Sequence, residues 1–81
     1  MKLEVIWSPA GEATLLRLAH WRTAERVARA VYDLAATGQG RLRRRGTSPT
    51  EFALYVGSCC VRLSLDRAAR SITVWHVFEL R

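Results

Sequence analysis

Lysine is almost missing from this chain. Of 13 basic residues only Lys2 is a lysine, and the rest are arginines. Cysteine is scarce as well, and the two present, Cys59 and Cys60, are adjacent. Neighbours on a strand point to opposite faces, and a disulfide between them is strained. The expected state is two free thiols, one inward and one outward. There is no second cysteine cluster and no Cys/His spacing for zinc, so no metal and no other cofactor is expected. Long hydrophobic runs are missing too. No apolar stretch approaches the roughly 20 residues that cross a bilayer. The opening MKLEVIWSPAGEATL lacks the continuous apolar segment of a signal peptide. The expected compartment is the cytoplasm, with no membrane partner.

What is present suits one small globular domain, residues 1–81. Half the residues are hydrophobic (49%) and a quarter charged (25%), which argues against disorder. A chain of this length buries about 60–65% of its unfolded surface, so its core is small. Acidic residues number 7 against 13 basic, a net charge of +6. A basic surface on a small domain points to nucleic acid or to an acidic protein partner. Arginine's planar fork suits both phosphate and carboxylate.

The last third, Phe52 to Arg81, reads as three consecutive strands. Phe52, Leu54 and Val56 alternate onto one face, and Gly57-Ser58 is a turn signal. Val61, Leu63 and Leu65 alternate against Cys60, Arg62 and Ser64. Asp66 to Arg70 breaks the run, and Ser71 to Leu80 is rich in β-branched and aromatic residues. Period-two alternation between turn signals is the strand signature. At the other end, Lys2 to Trp7 predicts a strand with Leu3, Val5 and Trp7 on one face. Ser8 is a candidate helix cap, with Pro9 in the first helical position and Glu12 in the first turn. That helix is expected to run to about His20 with Leu15, Leu18 and Ala19 inward. Gly11 should weaken it by about 1 kcal/mol relative to Ala.

Thr23 is a second cap candidate, followed by Ala24 to Ala36 with Val27, Ala30, Val31 and Leu34 at helical spacing. Gly38 is the expected stop. The two segments form either one bent helix or a helical hairpin, jointed near His20-Trp21-Arg22. Gln39 to Thr50 reads as a Gly- and Arg-rich connection. The order β-α-α-β-β-β predicts an α+β fold, with two N-terminal helices packed on one face of an antiparallel sheet. An exposed sheet edge leaves edge-paired homo-oligomers open.

Three stretches resemble the RelE/ParE superfamily, the toxins of bacterial type II toxin–antitoxin pairs. Val5 to Leu18 (VIWSPAGEATLLRL) is similar to the family's strand, Ser-Pro and amphipathic helix. The connection ending at Arg45-Gly46 resembles its basic link into the sheet. Gly57 to Asp66 (GSCCVRLSLD) has the length of the family's Gly-x-Tyr-Arg-Val-x-Tyr-x-Val-Asp strand. Ile72 to Val77 then leads to a basic residue, Arg81. The resemblance spans nearly the whole chain. It implies a toxin neutralised by a cognate antitoxin.

The departures are chemical. The family's Tyr-Arg falls on Cys59-Cys60. The strand lysines of its messenger-RNA-cleaving members fall on Ala53 and Tyr55. Their C-terminal catalytic tyrosine has no counterpart before Arg81. The resemblance therefore implies a ParE-like toxin, directed at DNA gyrase and replication, more than a RelE-like one. The alternatives are a non-toxic or degenerate member acting as a basic nucleic-acid- or protein-binding module, and a ribosome-dependent messenger-RNA endonuclease.

For binding an anionic partner the candidates are Arg41, Arg43, Arg44 and Arg45, with Tyr55 and Arg62 on the outward face of the strands. The arginine run also suits a solvated loop that keeps the protein soluble. Arg62 equally suits a surface pair with a carboxylate such as Glu79. For catalysis the candidates are Arg62, His76 and Arg81, His76 as a general acid or base because an unperturbed imidazole can gain and lose a proton near neutral pH. Strict alternation puts His76 on the face of Ile72, Val74 and Phe78. If that face is the core, His76 is a buried, hydrogen-bonded side chain. The tryptophans and tyrosines could stack on bases or could pack the core and its rim.

Overall fold

In a computed structural model that describes residues 2–80, strand β1 (Glu4–Trp7) leads through Ser8 into helix α1 (Pro9–Leu16). Ser8 caps it: its Oγ accepts the Gly11 N–H at 2.9 Å. Pro9 and Glu12 lie in the first turn as expected. The helix ends at Leu16 and not near His20, because its last turn tightens. Arg17 N–H bonds to the Thr14 carbonyl as well as that of Ala13, and Leu18 N–H bonds to Leu15.

Helix α2 (Trp21–Thr37) begins two residues before the expected cap, so Thr23 lies inside its first turn. His20 takes the capping position without a side-chain bond. The two segments are thus separate helices. Val27, Val31, Leu34 and Ala35 form the buried stripe of α2. Glu25 and Arg29 pair at 3.5 Å on its exposed side, where an i,i+4 pair contributes a few tenths of a kcal/mol, about 0.2–0.5. Gly38 ends the helix in the left-handed region at φ 76°.

Four further strands follow: β2 (Arg41–Arg44), β3 (Glu51–Val56), β4 (Cys59–Asp66) and β5 (Ser71–Glu79). The β3–β4 hairpin turns through Gly57-Ser58, with φ 57° at Gly57, the position that a type II′ turn gives to glycine. The sheet order is β1-β5-β4-β3-β2. The helices carry the chain from one edge to the other, and a meander of hairpins brings it back. The α+β architecture with helices on one face is as expected, with two differences. The arginine-rich connection contains a strand, β2, because Leu42 between Arg41 and Arg43 pairs opposite Leu54. The sheet is mixed, because β1 pairs parallel to β5. No helix is long and apolar enough to cross a membrane among the described residues.

The core lies between the helices and one face of the sheet. Leu54, Val61, Leu63, Ile72, Val74 and Val77 meet the α2 stripe there, with Cys59 beside them. Helix α1 presses against β5. Ser8 N–H donates to the Val74 carbonyl at 3.0 Å, and Val77 N–H donates to Thr14 Oγ1 at 2.9 Å. Gly11 sits at the closest approach, where a methyl group would run into the Val74 carbonyl. Its role is therefore close packing, and its weak helix propensity is the lesser effect. Gly11→Ala should destabilise the protein by about 1–3 kcal/mol in chemical denaturation, the usual size of an overpacking defect. A gain in stability, as propensity alone implies, would contradict this packing.

Candidate functional site: the open face of the sheet

Residues opposite one another on neighbouring strands share a face. On the side away from the helices this yields ordered rows. Arg41, Tyr55, Cys60 and Phe78 form one row. Arg43, Ala53, Arg62 and His76 form the next. Glu51 and Ser64 form a third, with Arg45 alongside through its N–H bond to the Glu51 carbonyl at 2.9 Å. Arg44 belongs elsewhere. It pairs opposite Phe52, whose side chain packs against the core, so it projects to the helix side. The arginine run is therefore split by the pleat, with Arg41, Arg43 and Arg45 on the open face. Arg81 lies outside the described residues.

His76 is where strict alternation does not put it. Arg62 pairs with His76 but Leu63 pairs with Val74, so Trp75 has no partner in the ladder. This is a β-bulge, which inserts one residue and re-aims those beside it. Ile72, Val74 and Val77 all face the core as a result, while Trp75 and His76 are exposed. The expectation of a core-facing His76 on the side of Ile72 and Val74 is thereby corrected. Trp75 stands on the open face, its Nε1–H donating to Ser64 Oγ at 2.9 Å. Phe78, in the neighbouring row, lies beside both polar groups of the second. The Arg62 guanidinium lies 5.9 Å from the centre of its ring, and the His76 ring lies 6.4 Å away.

Electrostatically this face is unbalanced. Among the described residues the one salt bridge is Arg29–Glu25 on α2, so Arg41, Arg43, Arg45 and Arg62 have no carboxylate partner, Glu79 included. Such a face can hold phosphate or carboxylate groups, and its aromatic half offers flat apolar surface. A histidine beside an arginine is suited to proton transfer next to a bound anion. The positions between them supply little further chemistry. Ala53 is buried and inert, and Tyr55 is half-buried. No cluster of three potential metal ligands occurs among the described residues.

Phe78 is the site residue missing from the sequence-based set, where Trp75 stands only among the aromatics that could stack on bases or pack the core. The spacing Ile72-x-Val74-x-x-Val77 was the available signal, since two residues between inward positions mark a bulge. On the helix side an apolar cavity of about 340 Å³ opens between the end of α2 and the sheet. Leu3, Leu34, Leu42, Leu63, Leu65 and Ile72 line it, with exposed Arg67 at its rim.

Both cysteines are free and point to opposite faces as expected, and both are buried. Cys59 faces the core. Cys60 faces the open side but is flanked by Tyr55 and Phe78. Burial pushes the Cys59 thiol above its ordinary 9.0, helped by the Glu79 carboxylate. Burial also pushes the Cys60 thiol up, against the pull of Arg62 and Arg45. Both should react with a thiol reagent at pH 7 at least about 10-fold more slowly in the folded protein than in denaturant. A raised thiol pKa stabilises the fold fully below the unfolded value and is lost as pH rises through the folded one. Stability should therefore fall as pH climbs past about 9. Rapid labelling of the folded protein at pH 7 would contradict this burial.

No protein-family model matches the sequence, and comparison with curated proteins finds no match. Comparison with solved structures does. The fold is similar to a chain of the toxin–antitoxin complex RelBE2 from Mycobacterium tuberculosis, with a TM-score of 0.83 and 15% identity over 98% of this chain and 92% of that one. At that identity the likeness concerns the fold. The shared architecture is two helices on a five-stranded mixed sheet.

Proposed function

We propose that this protein is the toxin of a type II toxin–antitoxin pair, acting through the open face and neutralised by a cognate antitoxin. The carrying observation is the fold itself, matched over 98% of the chain to a component of a toxin–antitoxin complex. The arginines of the uncovered face, which have no carboxylate partner among the described residues, support a target-binding surface. An amphipathic antitoxin segment suits the helix-side cavity, where apolar side chains can enter between Leu34, Leu42 and Leu63 and a carboxylate can meet Arg67.

The first reading of the target is DNA gyrase and replication. By the sequence resemblance, the strand lysines and the phosphate-contacting arginine of the messenger-RNA-cleaving family members fall on Ala53, Tyr55 and Cys60 here. All three lie on the open face, where two of them are buried. A second reading, cleavage of ribosome-bound messenger RNA, is favoured by one specific observation: Arg62 and His76 stand directly opposite each other.

Induction of the protein alone in a bacterial host should arrest growth, with DNA synthesis falling before protein synthesis. Protein synthesis falling first would favour the second reading. Co-expression of a small acidic partner from the neighbouring reading frame should abolish the arrest. Arg43→Ala combined with Arg62→Ala should weaken target binding by about 10- to 100-fold, the range expected for losing charge-assisted hydrogen bonds. Harmless accumulation of folded protein would reject the toxin reading and favour a binding module of the same fold.

A further inference from the structure

The bulge that exposes Trp75 and His76 is held from behind the sheet. Strand β1 pairs with β5 only as far as Val74, opposite Trp7. Beyond that point the edge of β5 has no strand beside it, and α1 takes over. Ser8 N–H bonds to the Val74 carbonyl at 3.0 Å, and Ser8 Oγ–H reaches the Trp75 carbonyl at 3.3 Å. Thr14 Oγ1 accepts the Val77 N–H at 2.9 Å while its own hydroxyl hydrogen is directed at the Ala10 carbonyl, 2.7 Å away. The hydroxyl is thus oriented by its own helix, with a lone pair left for Val77. These contacts bracket the bulge on both sides, at residues 74, 75 and 77.

We infer that Thr14, half-buried on α1 beside the edge of β5, is a positioning residue that fixes Trp75 and His76 on the open face. It acts through the β5 backbone, at the Val77 N–H. Without an acceptor at Thr14, Val77 N–H faces a part-buried helix with nothing to bind, and an unmade buried hydrogen bond is costly. The least costly relief is for residues 75 to 77 to shift, which changes the direction of both side chains. The functional part rests on the open face being the working surface, as proposed above. The structural part stands without it.

Thr14→Val keeps the shape of the side chain and removes the acceptor. Thr14→Ser restores the acceptor without the methyl group. In the full chain, Thr14→Val should speed hydrogen exchange of the Val77 amide about 10-fold. It should also displace the nuclear magnetic resonances of the Trp75 indole N–H and the His76 ring, and Thr14→Ser should return both to near the native positions. Should Thr14→Val not accumulate as folded protein, Thr14→Cys, with a weak sulfur acceptor, should give intermediate shifts. Ala36→Gly, on the exposed side of α2, serves as a comparably destabilised control that leaves the bulge alone.

Growth inhibition should fall at least 10-fold in Thr14→Val, and remain in Thr14→Ser and Ala36→Gly. Unmoved Trp75 and His76 resonances in Thr14→Val would overturn the positioning role. Equal loss of inhibition in Ala36→Gly, or full inhibition by Thr14→Val with displaced resonances, would overturn its functional part. If the native protein is itself harmless, the toxin reading fails, and the resonance experiment still decides what Thr14 does.

Discussion

The arrangement depends on one contact, the first two turns of α1 against the backbone of β5. Three small residues make it possible. Ser8 supplies a cap and two hydrogen-bonding groups, Gly11 supplies space, and Thr14 supplies an acceptor. A sheet edge with free N–H and C=O groups is a liability, and covering it with a helix removes that liability. Here the cover also stabilises an irregularity. A β-bulge costs ladder hydrogen bonds, and α1 returns part of what the ladder loses. The core needs the bulge as much as the open face does, since it alone lets Ile72, Val74 and Val77 all face inward.

The two faces of the sheet are then divided between stability and recognition. One face meets α2 through Val27, Val31 and Leu34 and holds most of the buried apolar area. The other is uncovered and carries arginines on β2, at its end and on β4. Arginines without carboxylate partners contribute little to folding, and at close spacing they repel one another. An anionic partner would relieve that repulsion, which gives the face a physical reason to bind. The adjacent aromatic side chains, Tyr55, Phe78 and Trp75, hold the cations in a partly apolar setting where each charge–charge contact is less screened than in open water.

Much of this was legible in the sequence. The α2 stripe, the Ser8 cap, the Gly38 stop and the β3–β4 turn follow from local rules, and local geometry decides them. The parallel pairing of β1 with β5 did not follow, because alternation shows which face a strand buries and not which strand it meets. Strand β2 was hidden by its arginines, which read as a solvated link although Leu42 alternates among them. His76 was misplaced because one extra residue reverses every later side chain. Gly11 was judged by helix propensity, while the constraint on it comes from a carbonyl more than 60 residues away in sequence, that of Val74. In each case the deciding partner is distant along the chain.

The bulge at Trp75 turns His76 out beside Arg62, and everything proposed for the open face follows from that. The most direct test is a set of proton–proton distances from solution nuclear magnetic resonance of the free protein. The account predicts close contacts from the His76 ring to Arg62 and Phe78, and from the Trp75 indole N–H to Ser64. Contacts from the His76 ring to the methyl groups of Val27 or Val31 would mean that β5 alternates without a bulge. The open face would then lack its histidine.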